Sequence, residues 1–541
     1  MQDAPPIDVG AAEWKSLLGV LQARVPDREV WAFGSRAKWK AKEFSDLDLA
    51  IDGKTPIPLS VLADLSDDFD EFEFRFRVDV VDLLTVSPEF RRRIEQDRVL
   101  IQRASEVTFV RLGSVCSKIG SGATPRGGKE VYLDHGPVSL IRSQNIYNGG
   151  FREDGLAFID YAQAEKLANV EVLENDVLLN ITGDSVARCC MAPSKFLPAR
   201  VNQHVAIIRT DPARLNPRFL RFFLVSELQQ DRMLALASSG ATRNALTKEM
   251  IQSFLVPTPP IHEQNAVATL LTNIENRIET LYASNAVLEA IARAIFKSWF
   301  VDSDPVKAKA EGREPEGMDA ATAALFPSDL VESQLGLVPA GWRVLTIADC
   351  TRVGRGASPR PINDYMDGDV PWIKIADATS GDGTFIFETK ERVKQAGVSK
   401  SVEVVPGDLV MSNSASCGIP VFVEIYGCIH DGWLYFRDYQ SITKHYLYYW
   451  LKNISAHLVH LADGSVQKNL NTTLVSSQPI LVPPQPLMDH FDQVAVGLLV
   501  EMRNNIRLCR TLADLRNTLL PRLLSGKLHV PEAEAMVMEV V

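Results

Sequence analysis

A long internal repeat sets the first limit on how this 541-residue chain folds. Gly120-Ser-Gly-Ala-Thr-Pro125-Arg recurs as Gly354-Arg-Gly-Ala-Ser-Pro359-Arg, an offset of 234. Ile141-Arg142 is followed by Ile373-Lys374, and Asp176-Val-Leu-Leu-Asn180 by Asp408-Leu-Val-Met-Ser412. Further on, Arg243-Asn244-Ala-Leu246 corresponds to Lys468-Asn469-Leu470, and Val256-Pro257 to Val482-Pro483. The matches keep their order while the offset drifts down to about 225, as loops of unequal length require. Two copies of one unit therefore account for most of the chain, because a repeat of fixed order reflects a repeated structural unit.

Each copy reads as a mixed α/β domain closed by a long helix. Short β-rich runs such as Val205-Ala-Ile-Ile208 and Val421-Phe-Val423 are bounded by turn-forming residues. The helices are expected over His262 to Phe300 and about Leu487 to Leu524. Val267, Leu271, Ile274, Ile278, Leu281, Leu288, Ala292, Ile295 and Trp299 recur mostly at spacings of three and four. Val494, Leu498, Met502, Cys509, Leu512, Leu515 and Leu519 do the same in copy two. That is a coiled-coil seam, with Asn285 and Asn505 as its polar steps. With both helices in one chain, an antiparallel intramolecular pair is expected. The alternative is two amphipathic helices, each packed on its own domain.

Composition narrows the class. Apolar residues make up 46% and charged residues 23%, ordinary for a globular chain of several domains. No stretch reaches the roughly 20 apolar residues of a membrane helix, and the N-terminus lacks a signal-peptide pattern. Seven cysteines without a CxxC pair favour a reducing compartment over a disulfide framework or zinc site. Cys189-Cys190 reads as buried packing, and the histidines of 445–460 as part of an aromatic packed helix. A net charge of −11 removes global basicity as a sign of nucleic-acid binding. Residues 106–259 nevertheless carry a net +2 against −5 for residues 1–105.

The repeat resembles the specificity subunit of type I restriction–modification enzymes over residues 106–530. Pro260-Ile-His-Glu-Gln264, Asn285-Ala-Val-Leu-Glu289, Ala294 to Asp302, Leu325-Phe-Pro327, Leu335 to Trp342 and Leu519 to Gly526 carry the resemblance. It implies two target recognition domains on helical spacers, each reading one half of a split, asymmetric double-stranded DNA sequence. It also implies two methyltransferase subunits using S-adenosylmethionine and two ATP-driven restriction subunits that use Mg²⁺, with no cofactor for the specificity part itself. Asn and Gln pair bidentately with adenine and Arg with guanine, so polar loop residues are the candidates for base contact. In copy one these are Ser143, Gln144, Asn145, Asn180, Thr182, Gln203, His204, Arg243 and Asn244. In copy two they are Lys374, Asn413, Ser414, Lys468 and Asn469. No methyltransferase quartet, P-loop or nuclease constellation occurs in this region.

The first hundred residues lie outside the repeat. Gly34-Ser35-Arg36 is followed by Asp46-Leu-Asp48, then by Arg77-Val-Asp79-Val-Val-Asp82. These residues resemble the minimal nucleotidyltransferase family, in which Gly-Ser, a spacer and Asp-x-Asp precede a third carboxylate. Side chains alternate along a strand, so Asp46 and Asp48 share a face. With Asp79 they form the expected catalytic and Mg²⁺-binding set for a nucleoside triphosphate. Gly34 and Ser35 are the nucleotide-binding candidates, and Asp82 falls on the opposite face.

The expected layout is a nucleotidyltransferase-like domain over 1–103 and a first recognition domain over 106–259. A spacer helix over 260–302 and a linker over 303–340, ordered at Phe326-Pro327, come next. Then follow a second recognition domain over 341–484, a second spacer over 485–530 and a tail over 531–541. The expected function is DNA specificity within a cytoplasmic bacterial or archaeal restriction complex. The alternative is a nucleotidyltransferase or antitoxin-like enzyme for which the repeats are a DNA-targeting scaffold.

Overall fold

The computed structural model describes residues 5–540 except 27, 43–44, 54, 73, 105–106, 239–243, 380–382 and 463–468. The chain divides into two compact units, Met1–Ile278 with Arg510–Val541, and Glu279–Cys509.

The first unit begins with helix α1 (Ala11–Arg24), strand β1 (Glu29–Phe33) and the four-residue helix α2 (Gly34–Ala37). Strand β2 (Leu47–Asp52), helix α3 (Leu59–Glu71), strand β3 (Val78–Asp82), helix α4 (Pro88–Asp97) and strand β4 (Val99–Gln102) follow. The sheet order is β3-β2-β1-β4, with β2 and β3 parallel and β1 antiparallel to both its neighbours. Alternation explains the burial of β2: Leu47, Leu49 and Ile51 are sealed under α1 and α3 with Leu21, Leu65 and Phe69. Asp48 is thereby turned to the other face. Helix α1 also meets the helix Glu227–Ser238 of copy one. Lys15 bonds Glu227 at 2.5 Å and lies 3.3 Å from Asp231, which raises the Lys15 pKa. Gly19 lets the helices close, since a Cβ there would sit 3.2 Å from Leu228. Arg232 is half-buried beneath this contact, and desolvation lowers its pKa to about 10.

The two copies share a core topology, to which copy two adds the short strand Phe385–Ile386 parallel to Pro420–Val423. In copy one Val177–Asn180 pairs antiparallel with Cys189–Met191 and Val205–Thr210, and the latter with Cys116–Ser121. In copy two Leu409–Ser412 pairs in the same way with Pro420–Val423 and Trp433–Arg437, and Arg352–Arg355 takes the outer place. The second sheets also match in order: Ala157–Ile159, Val138–Ile141, Ala199–Val201, Glu171–Val172 against Glu391–Val393, Met366–Ile373, Gly427–Ile429, Val402–Val404. Individual bonds recur. Gly122 N–H donates to Val205 C=O and Gly356 N–H to Trp433 C=O, both at 2.8 Å. Leu246 N–H donates to Ile181 C=O at 2.9 Å, as Leu470 N–H does to Asn413 C=O at 2.8 Å. The shared second glycine of the repeated motif has a steric cause. A Cβ on Gly122 would overlap the Val201 and Asn202 carbonyls, and one on Gly356 the His430 carbonyl.

The long helices are α5 (Ile261–Phe296), continued by a π-turn over Lys297–Val301, and α6 (Gln485–Leu524). The seam residues Val267, Leu271, Ile274, Leu281, Ala292, Met502, Cys509, Leu512 and Leu519 are buried. Within the second unit the helices run antiparallel: Phe296 meets Phe491 at 5.6 Å, while Asn285, three turns earlier, meets Asn505, later along α6. The two polar steps are one layer. Asn505 Nδ2 donates to Asn285 Oδ1 at 2.8 Å, and Asn285 Nδ2 to the Met502 carbonyl at 2.9 Å. Within the first unit, Glu275 of α5 binds Arg221 at 2.6 Å and Arg516 of α6 at 3.3 Å.

Phe326 is buried against Trp299 at 5.5 Å, which orders the connection between the copies. That connection also holds the helix Asp304–Ala310 and the hairpin Leu330–Ser333 with Gly336–Pro339, which its Pro, Gly and charge content concealed. The helix Lys444–Ala462 buries Tyr446, Tyr448, Tyr449 and Trp450 as a packed face. Cys189 and Cys190 are buried, and burial raises both thiol pKa values, that of Cys190 to about 12.

Candidate functional sites

The N-terminal carboxylates converge at adjacent strand ends. Register places Asp48 beside Asp79 across the parallel β2–β3 pair and beside Phe33 on β1. Gly34 follows Phe33 with φ +78, and a Cβ there would collide with the Asp48 carboxylate. Arg36 fixes the turn. Its Nε donates to the Ser45 carbonyl and its Nη1 to the Asp8 carbonyl, both at 2.8 Å, and its guanidinium covers Phe76 at 3.8 Å. Asp46, next after Ser45, is exposed. Ser35 is half-buried, and its carbonyl accepts the Lys40 N–H at 3.0 Å.

Burial raises the Asp48 pKa, and the charges of Asp79 and Asp46 raise it further. Three carboxylates that repel one another beside a glycine cradle are a donor set suited to a cation. They do not form a metal cluster here: Asp79 pairs with Arg77 at 3.2 Å, and among the described residues no three His, Cys, Asp or Glu are drawn together closely enough to hold a metal ion. Asp82 is buried and accepts the Ile57 and Leu84 N–H groups at 2.7 and 2.9 Å, a structural role.

In copy one the candidates gather at one sheet end, and they divide by burial. Gln203 is exposed. Its Oε1 accepts from Thr124 Oγ1, its Nε2 lies 3.0 Å from His204 Nε2, and His204 Nδ1 lies 2.6 Å from Thr182 Oγ1. Exposed Asn244 adjoins this chain through its carbonyl, which accepts the Gly183 N–H at 3.1 Å. Exposed Gln144 donates to the Gly155 carbonyl at 3.1 Å, and Ser143 is half-buried. Asn145 and Asn180 correct the expectation of base contact. Asn145 is fully buried and bonds Arg142 N–H and the Arg152 and Asp154 carbonyls. Asn180 is equally buried, with Nδ2 on the Ser143 carbonyl at 2.9 Å. Both hold loops in place. Arg243 lies outside the described residues.

In copy two Asn413 is corrected on the same ground: it is 2% exposed, with Nδ2 on the Asp431 carbonyl at 3.0 Å. Lys374 is held by Glu391 at 2.5 Å. Ser414 is half-buried and Asn469 exposed, and Lys468 lies outside the described residues. Sequence reasoning missed Arg355, Arg360 and Asp431. Asp431 accepts from Ser358 Oγ at 2.6 Å, with Arg360 and Arg355 Nη2 atoms 3.7 and 3.9 Å from its carboxylate. The Ser358 bond holds the Asp431 pKa low. Beside it, burial lowers the His430 pKa, and His430 Nδ1 accepts the Gly432 N–H at 2.6 Å. The available signal was the repeated Gly-x-Gly-Ala-Thr/Ser-Pro-Arg motif, which contains Thr124, Ser358 and Arg360.

Fold and sites together define a two-copy recognition protein carrying a nucleotidyltransferase-type module. The type I restriction modification DNA specificity domain matches residues 104–290 and 339–494, and the polymerase beta nucleotidyltransferase family matches residues 20–106. The chain belongs to the type I restriction–modification specificity family, with a nucleotidyltransferase domain fused at its N-terminal side. The type I restriction enzyme HindI specificity subunit of Haemophilus influenzae is 28% identical over 387 residues, 62% of this chain and 80% of that protein. The probable protein adenylyltransferase MntA of the same organism is 43% identical over 96 residues, 18% of this chain and 84% of that protein. The crystal structure of the type I restriction–modification S subunit from M. genitalium aligns with TM-score 0.49 and 16% identity, covering 77% of this chain and 96% of that one. Among the described residues no helix is long and apolar enough to cross a membrane.

Proposed function

We propose that this chain is the DNA specificity subunit of a type I restriction–modification complex, reading a bipartite and asymmetric duplex target. The observation that carries the reading is the identity of scaffold and difference of loops. Equivalent backbone bonds in the two copies present Gln203 and His204 in one and Asp431 and Gly432 in the other. Domains of one shape with different polar edges fit two different half-sites. A helix of 36 residues rises about 54 Å, a spacing element on the scale of about one and a half turns of DNA. Its outer surface and that of α6 would dock two methyltransferase subunits, which bring S-adenosylmethionine, and with them two ATP-dependent restriction subunits. The reading carries with it the division into 1–103, 106–259, 260–302, 303–340, 341–484, 485–530 and 531–541, and a cytoplasmic place.

The N-terminal module would be a Mg²⁺-dependent nucleotidyltransferase. Asp46, Asp48 and Asp79 would hold the metal, and Gly34 and Ser35 would face the triphosphate. Bound Mg²⁺ supplies charge neutralisation on the phosphates and orientation of the reacting oxygens. The chain's own part is to hold Asp48 beside Asp79 while Gly34 leaves room beside Asp48. The intact carboxylate set also favours a second reading, in which nucleotidyl transfer is the primary activity and the repeats deliver it to DNA.

Genome-wide methylation mapping with the gene intact and deleted tests the first reading. Loss of one bipartite motif with a fixed gap is expected. An unchanged methylation pattern refutes it and leaves the second reading, to be tested by nucleotide transfer with Asp46→Asn and Asp48→Asn.

A further inference from the structure

The two copies share a side-chain bond as well as backbone bonds, and its partners differ in polarity. The Gly122 and Gly356 bonds align Val205 with Trp433, so Gln203 and Asp431 occupy equivalent positions two residues earlier. Two residues after each glycine, Thr124 donates to Gln203 and Ser358 to Asp431. A hydroxyl of the repeated motif therefore holds the same seat in each copy, and the seat contains an amide in one and a carboxylate in the other. The motif arginine is common to both, as Arg126 and Arg360. Ser121 of copy one is matched by Arg355, and His204 by Gly432.

We propose that this seat is a specificity-determining position, where Gln203 reads an A·T pair and the Arg355–Asp431 pair reads a G·C pair. The assignment deepens the proposed DNA-specificity function and rests on it.

In copy one both ends of the Gln203 amide are already steered. Thr124 occupies one lone pair of Oε1, and His204 lies against Nε2, with Thr182 behind it. One lone pair and one N–H remain, side by side. That is the acceptor–donor pair that matches adenine N6–H and N7. In copy two a carboxylate alone would be repelled by the phosphates of DNA. Asp431 is instead neutralised by two guanidinium groups, and Arg355 is aimed by its Nε bond to the Asp431 carbonyl at 2.8 Å. Beyond the 3.9 Å approach of Nη2 to Asp431, the Nη groups of Arg355 make no hydrogen bond among the described residues and present a fork, which suits guanine O6 and N7. Exposure agrees, since the Arg355 and Asp431 side chains are 57% and 43% exposed.

The test is methylation-motif mapping in cells carrying the full chain with its partner subunits. Gln203→Ala is expected to relax one A·T position in one half-site, with discrimination there falling roughly five- to hundredfold. The other half-site stays specific and serves as the internal control. Arg355→Ala relaxes a G·C position in that other half-site by a similar factor. The exchange variant Ser121→Arg with Gln203→Asp moves copy one's position from A·T towards G·C. If Gln203→Ala abolishes all methylation, the exchange variant decides by whether its motif changes identity. Relaxation at a base pair of the wrong type, or an unchanged motif in all three variants, overturns the assignment while leaving the specificity function standing. Absence of any bipartite motif lost on gene deletion overturns both.

Discussion

Replacing Asn285 and Asn505, singly and together, tests whether the polar layer between α5 and α6 acts as one coupled unit. Their side chains are nearly buried, at 6% and 8% exposure, and Asn505 Nδ2 has Asn285 Oδ1 as its acceptor. Asn285→Leu strands that donor inside an apolar seam, at a cost of about 1–3 kcal/mol. Leucine returns part of this by burying apolar surface. Asn505→Leu alone removes the bond to Asn285 Oδ1, which then loses its donor. In the double variant neither group is stranded, and two leucines face each other at seam positions, a change that stabilises coiled coils while relaxing their register. The cycle therefore predicts a coupling of about 1–3 kcal/mol, the double variant being more stable than the sum of the singles.

The assay is thermal unfolding followed by calorimetry on the full chain, reading the transition of the unit Glu279–Cys509. For a unit of that size 1 kcal/mol corresponds to roughly 2–4 °C. Additivity within about 0.5 kcal/mol refutes the idea that the two amides depend on each other. A second readout follows from register. If the layer fixes the offset of α5 against α6, the double variant broadens the gap between half-sites in the methylation motif, although its melting point rises.

Further predictions concern the N-terminal site and the repeated glycines. The Asp48 pKa is raised by burial and by Asp79 and Asp46, so its folded value lies above the ordinary aspartate value. The folded module then binds that proton more tightly than the unfolded chain, and its stability rises as pH falls through the folded pKa. Asp79→Asn should lower the Asp48 pKa and flatten this dependence, as carboxylate NMR titration would show; an unmoved Asp48 refutes the coupling. Mg²⁺ should stabilise the wild-type module in thermal melts and fail to stabilise Asp46→Asn with Asp48→Asn, and equal shifts in both would count against a shared metal site. Gly122→Ala and Gly356→Ala should each destabilise by about 1–3 kcal/mol, because a methyl group meets neighbouring carbonyls in both copies. Wild-type unfolding midpoints in either variant would contradict that.

Features with a strong period or a fixed order are legible in the amino-acid sequence. The helices appear within a few residues of their expected ends, since seam residues at three- and four-residue spacing leave little freedom. The π-turn at Lys297–Val301 carries no such signal, because a single widened turn is too short to show as a change of period. The nucleotidyltransferase-like motif marks Asp48 and Asp79 in the sequence, and the two residues face each other across the parallel β2–β3 register. The elements of 303–340 are hidden for the opposite reason: the seven-residue helix Asp304–Ala310 and the four-residue strands of the hairpin are too short to show a period.

Polar loop residues are the least readable, and Asn145, Asn180 and Asn413 show why. Asparagine is favoured where a loop must bond its own backbone and equally where a protein reads a base, so residue type cannot separate the two uses. Burial separates them. The three asparagines point inward and satisfy Arg152, Ser143 and Asp431 carbonyls, whereas Gln203 and Asp431 present their side chains outward. The repeat supplies a sharper criterion. A bond that recurs between equivalent backbone atoms, such as Gly122 to Val205 and Gly356 to Trp433, belongs to the scaffold. A seat held by the same hydroxyl but filled by chemically different side chains is free to vary without loss of fold. Free variation on a fixed scaffold is the physical requirement for two copies to recognise two different half-sites, which is why the Thr124–Gln203 and Ser358–Asp431 seats, and not the buried asparagines, are the places to look for sequence readout.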